Sequence, residues 1–180
     1  MIAIVDYGAG NLRSVEKALQ FIGAPCEITA DAKKIAKAPG VILPGVGSFG
    51  DCMEALRRRA LVEPVQAAAG DATANKRPFL GICLGLQMLF AASEESPGAQ
   101  GLGVLPGRVE KLVFGPGLKI PHIGWNSIAL RRQDGLFRGV PDGSYVYFVH
   151  SFCARAGEAP DVAAPTGAYA PGTNCIHTPA

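Results

Sequence analysis

The chain has 180 residues, 48% of them hydrophobic and 18% charged, with 17 basic against 15 acidic side chains for a formal charge of +2. That length makes one domain with a real core, and the apolar content excludes general disorder. A charge near zero gives no electrostatic case for nucleic acid or an anionic membrane surface, and no apolar run approaches the ~20 residues of a membrane span. The opening MIAIVDYGAG has no basic region before its apolar stretch, so it reads as a first strand and not a signal peptide. Five cysteines (Cys26, Cys52, Cys83, Cys153 and Cys175) without a metal-type close pair fit a reducing cytoplasm, with neither metal nor cofactor expected.

In chain order, Ile2 to Val5 is a β-branched run closed by Asp6 and Gly8, the pattern of a buried strand. Asn11 stands at a helix start, and Leu12, Val15, Leu19 and Ile22 fall on one helical face. Gly23 is placed to end that helix, with Pro25 as a stop. Val41 to Leu43 is a second buried strand that runs into Pro44-Gly45-Val46-Gly47. A helix through Met53 and Leu56 follows, then one with Pro64 early in it. Phe79, Leu80 and Ile82 make a third strand, and Leu84 to Ala92 a helix. Strands alternating with helices over short loops predict parallel strands joined by right-handed crossovers. The second half changes character: Val104 to Val113, Ile123 to Leu130 and Tyr145 to Phe152 read as extended segments between Gly/Pro turns. The expected class is α/β, an open, largely parallel sheet with helices on both faces and an antiparallel extension.

The expected domain is 1–180, with 1–153 coherent and 154–180 atypical. The 27 residues from Ala154 hold eight Ala, four Pro and three Gly, and only Arg155, Glu158 and Asp161 are charged. No periodic apolar face runs through them, which predicts a weakly packed tail.

The strongest chemical signal is Gly81-Ile82-Cys83-Leu84-Gly85, directly after the third strand and at the start of a helix. A nucleophile on such a turn has a strained backbone, projects from the carboxyl edge of the sheet, and gains thiolate character from a helix N-terminus. The Leu84 N–H would face a carbonyl oxygen under attack, as half of an oxyanion hole. The plainer alternative is a structural cysteine in a glycine-rich turn. Gly8-Ala9-Gly10 suggests a dinucleotide fingerprint, but its third glycine would fall at Arg13, so that reading fails its own motif. Pro44 to Gly47 is either a turn or a second source of backbone N–H groups for the Cys83 pocket; composition decides neither.

Four blocks taken together carry a resemblance: Asp6 to Val15, Pro44 to Gly50, Gly81 to Gln87, and Pro121-His122-Ile123-Gly124-Trp125-Asn126. From Met1 to about Phe152 the chain resembles the glutaminase subunit of imidazole glycerol phosphate synthase, a class I, triad-type glutamine amidotransferase of histidine biosynthesis. The resemblance implies hydrolysis of glutamine to glutamate and ammonia, with ammonia passed to a (β/α)8 synthase subunit in a heterodimer. It implies Cys83 as nucleophile and Val46, Gly47 and Leu84 as oxyanion elements. Gln87, Ser151 and Phe152 would hold the substrate. Asn11, Trp125, Asn126 and Tyr147 would lie at the synthase interface, although Trp125 and Tyr147 also read as ordinary buried aromatics.

The departure is at the end of the chain. The family closes with a strand, a His-Pro-Glu triplet supplying base and orienting carboxylate, and a last helix; no His-Pro-Glu occurs here. The nearest counterpart is His177 in Ile176-His177-Thr178-Pro179, with no Glu after it and the plainer reading of a tail residue. His150, on a strand face with Val146 and Phe148, reads as a core histidine without an acidic partner. Two functions therefore stand side by side: a glutaminase subunit, or a catalytically impaired, truncated form that serves as a partner-binding module. Loss of the closing strand further predicts an unpaired sheet edge and lowered stability.

Overall fold

Four short strands, β1 (Ile2–Val5), β2 (Cys26–Thr29), β3 (Val41–Gly45) and β4 (Phe79–Cys83), pair in parallel in the order β2-β1-β3-β4. The computed structural model describes residues 1–74, 77–113, 119–130, 137–156 and 164–165. The register stacks Ile4 beside Ile42 and Ile42 beside Leu80 on one face, with Ala3, Val41 and Phe79 on the other. β4 is an edge strand among the described residues.

Helix α1 (Leu12–Phe21) covers the Ile4 face, where the Cys26 thiol reaches the Glu16 carbonyl. Asn11 caps it by accepting from the Ser14 N–H at 3.3 Å. Gly23, at φ +73°, closes it while the Ala24 N–H bonds the Leu19 carbonyl, the expected left-handed ending. Ile22 departs from the expected apolar stripe: it lies past the helix end and is 71% exposed. The other face takes α2 (Ala32–Lys37), α3 (Phe49–Arg58) and α4 (Val62–Thr73). Their Ile35, Cys52, Met53, Leu56, Val65 and Ala68 join Ala3, Val5, Val41, Leu43 and Phe79 in the main core. Helices on both faces of a parallel sheet agree with the expected class.

β2 and α2 are elements that the sequence reading passes over. The strand, Cys-Glu-Ile-Thr, carries one aliphatic residue and pairs on only one side, so it shows no buried-strand signature. α2 has six residues, fixed by caps more than by periodicity. Asp31 accepts from the N–H groups of Lys33 and Lys34, and Arg77 donates to the carbonyls of Ile35, Ala36 and Ala38 at 3.2, 2.9 and 2.9 Å.

The expected helix from Leu84 to Ala92 is shorter: α5 spans Leu84–Gln87. Its continuation is broken by tertiary hydrogen bonds. Amides of the segment that doubles back over it, Gly101, Leu102, Gly103, Val104 and Leu105, take the carbonyls of Ala91, Met88, Phe90 and Leu89, which a longer helix would use internally.

Beyond residue 105 the strands are antiparallel, as expected. β5 (Gly107–Lys111) pairs with β8 (Phe152–Ala156), and β6 (His122–Ala129) pairs with β7 (Tyr145–His150) and with β9 (Ala164–Pro165). The start of the expected weak tail needs correction. Ala154 is buried at 1% exposure in the main core, because β8 forms a ladder along β5. The rest of 157–180, apart from β9, lies outside the described residues.

Arg77 closes both α2 and α4, through its three carbonyls and an ion pair to Asp71 at 3.1 Å. Arg77→Ala is expected to cost about 2 kcal/mol, because three carbonyls lose a charged donor at once. Urea unfolding measures this, and a loss below about 0.5 kcal/mol would contradict the role.

Candidate active site

At the carboxyl edge of the parallel sheet three loops meet: the turn after β1, the Pro44–Gly47 loop after β3, and the turn from β4 into α5. Cys83 occupies that last turn with φ 56° and ψ −118°, a combination unfavourable for any residue with a Cβ. Its side chain is exposed. The strained turn anticipated from the glycine-flanked motif is therefore present.

The glycines serve a purpose different from conformational freedom at the turn. A Cβ on Gly85 would lie 1.7 Å from the Leu43 carbonyl oxygen, and one on Gly81 would lie 2.6 Å from the Leu86 Cα. A Cβ on Gly45 would meet the Gly85 nitrogen at 2.5 Å. All three positions are bare so that α5 can lie directly against the backbones of β3 and β4. That contact sets Gly45 opposite Cys83 in register and carries Val46 and Gly47 past the end of the strand beside it. Val46 and Gly47 are exposed there, while Leu84 is buried against Gly45. On the other side, Gly10 packs against Pro44, a Cβ there falling 3.1 Å from the Pro44 Cβ, so the β1 turn buttresses the same loop.

Gln87, one turn beyond Cys83, is buried, and its Nε2 donates to the Phe152 carbonyl at 3.3 Å. Its Oε1 has no hydrogen-bond partner among the described residues. The structure thus joins Gln87 to the Ser151–Phe152 segment. His150 joins the same carbonyl: Nδ1 lies 3.0 Å from the Phe152 oxygen, and Nε2 lies 3.3 Å from Nδ1 of His122. Because a carbonyl can only accept, His150 carries its proton on Nδ1 and accepts at Nε2 from the His122 Nδ1–H. This cross-strand pair, with Phe148 stacked on His122 at 5.2 Å, is absent from the sequence reading, which treats each histidine alone. Burial holds both imidazoles below their ordinary range.

Glu95 is a second residue that the sequence reading misses. Its Oε2 accepts from the Phe49 N–H at 2.7 Å, and the neighbouring Ser96 hydroxyl accepts from the Gly50 N–H at 3.0 Å. Together they fill the first turn of α3, immediately after the Gly45–Gly47 loop, from 46 residues away, where no spacing rule reaches.

The expected interface residues separate. Trp125 and Tyr147 are 67% and 55% exposed and meet edge to face at 5.6 Å, so neither is a buried aromatic. Ile123, Tyr145 and Val149 flank them on the same outward face of β6 and β7. Asn126 alternates to the opposite face, and Asn11 is the cap of α1. His177 lies outside the described residues. Among the described residues no group of three or more His, Cys, Asp or Glu is placed to hold a metal ion.

The family model described as glutamine amidotransferase class-I matches residues 3–177. Imidazole glycerol phosphate synthase subunit HisH of Moorella thermoacetica is 51% identical over 151 residues, covering 84% of this chain and 69% of that relative. The protein of the same name from Geobacter metallireducens is 47% identical over 173 residues, covering 93% of this chain and 80% of the relative. A crystal structure of a glutamine amidotransferase aligns with a TM-score of 0.66 at 19% identity, over 88% of this chain and 76% of that one.

The histidine pair generates a pH dependence. Both groups are depressed in the fold relative to the unfolded value of about 6.5, so the unfolded chain binds more protons and stability falls with acidification. Their contribution is complete above pH ~6.5 and is lost as pH drops toward the folded values. The urea midpoint is expected to fall between pH 7 and 5, less steeply in His150→Gln. Parallel slopes for the two proteins would remove the pair from the account.

Proposed function

The chain belongs to the class I glutamine amidotransferases, and we propose that it is the glutaminase subunit of an imidazole glycerol phosphate synthase, hydrolysing glutamine to glutamate and ammonia in histidine biosynthesis. The observation that carries this reading is the exposed Cys83 on its positive-φ turn between β4 and α5.

The Cys83 thiolate attacks the side-chain amide carbon of glutamine. A C–S bond forms while the carbonyl electrons move to oxygen, and the N–H groups of the Val46–Gly47 loop and of Leu84 receive that oxyanion. As that intermediate collapses, the amide nitrogen takes a proton from solvent and leaves as ammonia; water then adds to the thioester and its C–S bond breaks, releasing glutamate and returning the Cys83 thiol. Gln87 offers its unpartnered Oε1 to the substrate's ammonium, and the Ser151–Phe152 backbone closes the pocket beside it. The chemistry calls for no metal or cofactor. The ammonia goes to a (β/α)8 synthase subunit that seats on the aromatic face of β6 and β7, where Trp125 and Tyr147 are the anchors. The free cysteines suit a reducing cytoplasm, and no helix among the described residues is long and apolar enough to cross a membrane.

A second reading is supported by the histidines. Both ring nitrogens of His150 are engaged, as is Nδ1 of His122, and the 180 residues contain no His-Pro-Glu. A subunit whose described histidines are engaged in this way would dock on the synthase with little turnover of its own.

Two measurements test these readings. A diazoketone analogue of glutamine is expected to add once, at Cys83, with no adduct there in Cys83→Ala. Steady ammonia release in the presence of the synthase, abolished by Cys83→Ala, supports the glutaminase. An unlabelled Cys83 would overturn it. Labelling without turnover, with partner affinity unchanged in Cys83→Ala, would favour the docking module. Trp125→Ala is expected to weaken synthase binding by about tenfold or more, as truncation of a central aromatic anchor does. Unchanged affinity in a titration would move the interface elsewhere.

A further inference from the structure

Two buried donors hold the Pro44–Gly47 loop from beneath. The Tyr7 hydroxyl donates to the Pro44 carbonyl at 2.8 Å, and the Cys52 thiol, in the first turn of α3, donates to the Val46 carbonyl at 3.3 Å. Each side chain is 1% exposed, and the hydroxyl and thiol also interact with each other. Burial raises both groups above their ordinary ranges, so both protons stay in place at neutral pH.

A planar trans peptide points its C=O and N–H in opposite directions. Fixing the Pro44 oxygen therefore fixes the Gly45 N–H, and fixing the Val46 oxygen fixes the Gly47 N–H. The peptide between them, which carries the Val46 N–H, lies between two held planes. Gly47, at φ +105° with open space around its α-carbon, leaves the far end of this loop free to turn. Packing of Gly45 on α5 and of Gly10 on Pro44 sets the start of the loop, and the two donors hold its carbonyls from there to Val46.

We propose that Tyr7 and Cys52 are positioning residues for the reaction: through the Pro44 and Val46 carbonyls they orient the loop N–H groups that receive the oxyanion next to Cys83. The inference rests on the glutaminase reading and deepens it. Neither side chain touches substrate; both act through the backbone above them. Removing an oxyanion donor outright costs about 10²–10³ in rate, and releasing the loop that aims it costs a smaller share, about tenfold.

The test uses the γ-(p-nitrophenyl) ester of glutamate. Cys83 forms its C–S bond while nitrophenolate leaves with the electron pair of the C–O bond, so the burst reads acylation without needing an acid. Alkylation of Cys83 by iodoacetamide, mapped by mass spectrometry, is the control, since that displacement builds no oxyanion. Tyr7→Phe and Cys52→Val are expected to slow the burst about tenfold at unchanged half-saturation and unchanged alkylation rate. Cys52→Ser, which keeps a donor, is expected to recover to within about twofold of the parent. The proposal fails if the burst is unchanged, if burst and alkylation slow together, or if Ser is as slow as Val. The ¹³C resonance of the Val46 carbonyl adds a readout that does not depend on turnover. It is expected to move upfield in Cys52→Val and to stay near its place in Cys52→Ser; an unmoved resonance in the Val variant overturns the proposal. If the parent gives no Cys83-dependent burst, the glutaminase reading fails by itself, while the carbonyl resonance still decides whether Cys52 holds the loop.

Discussion

The approach of α5 to the backbone of β3 is the constraint on which the rest of the site depends. A helix normally stands off a sheet by the thickness of two side chains. Here Gly85 sits on the Leu43 carbonyl and Gly81 beneath Leu86, with no room for a methyl group at either place. Three bare α-carbons bring backbone onto backbone, so the Cys83 turn and the Gly45–Gly47 loop become neighbours. The positive φ of Cys83 follows, because the chain must reverse within one residue to enter a helix pressed so close. Packing of this kind removes the adjustments that a side chain would allow, and that rigidity is what a nucleophile next to fixed N–H groups requires.

Around this contact the fold spends hydrogen bonds where a regular element would not. The segment 101–105 takes carbonyls that a longer α5 would have used internally, and it ties the stretch after the Cys83 turn to the core. Glu95 and Ser96 supply the first turn of α3 in the same manner. On the far side a relay runs from His122 through His150 to the Phe152 carbonyl, which also receives Gln87. The antiparallel ladder of β6 and β7 is thereby coupled to Gln87 through side chains as well as through the chain that continues from β7 into β8.

What was legible in the sequence was local. β1, β3 and β4 stand out as β-branched or aliphatic runs ended by Gly or Asp, and α1 by its cap and its Gly-Ala-Pro exit. Cys83 was legible because strand, glycine spacing and helix lie within ten residues. β2 was not, since a strand that carries Glu27 and Thr29 beside one Ile gives no alternation to count. The end of α5 was not, because the amides that interrupt it arrive from more than ten residues downstream. Tyr7, Glu95 and the histidine pair were illegible for one shared reason: each acquires its meaning from a partner 28 to 46 residues away. A tyrosine in a glycine-rich turn reads as a core aromatic until the carbonyl above it is known.

The outward face of β6 and β7 bears on how the subunit must be made. Ile123, Trp125, Tyr145, Tyr147 and Val149 form a continuous apolar strip in water. Contiguous patches of this type are sticky toward any similar surface, including that of another copy. A cell that produced this chain in excess of whatever covers the strip would hold molecules prone to self-association. Synthesis in step with whatever covers the strip is thus a solubility requirement written into one ladder of side chains.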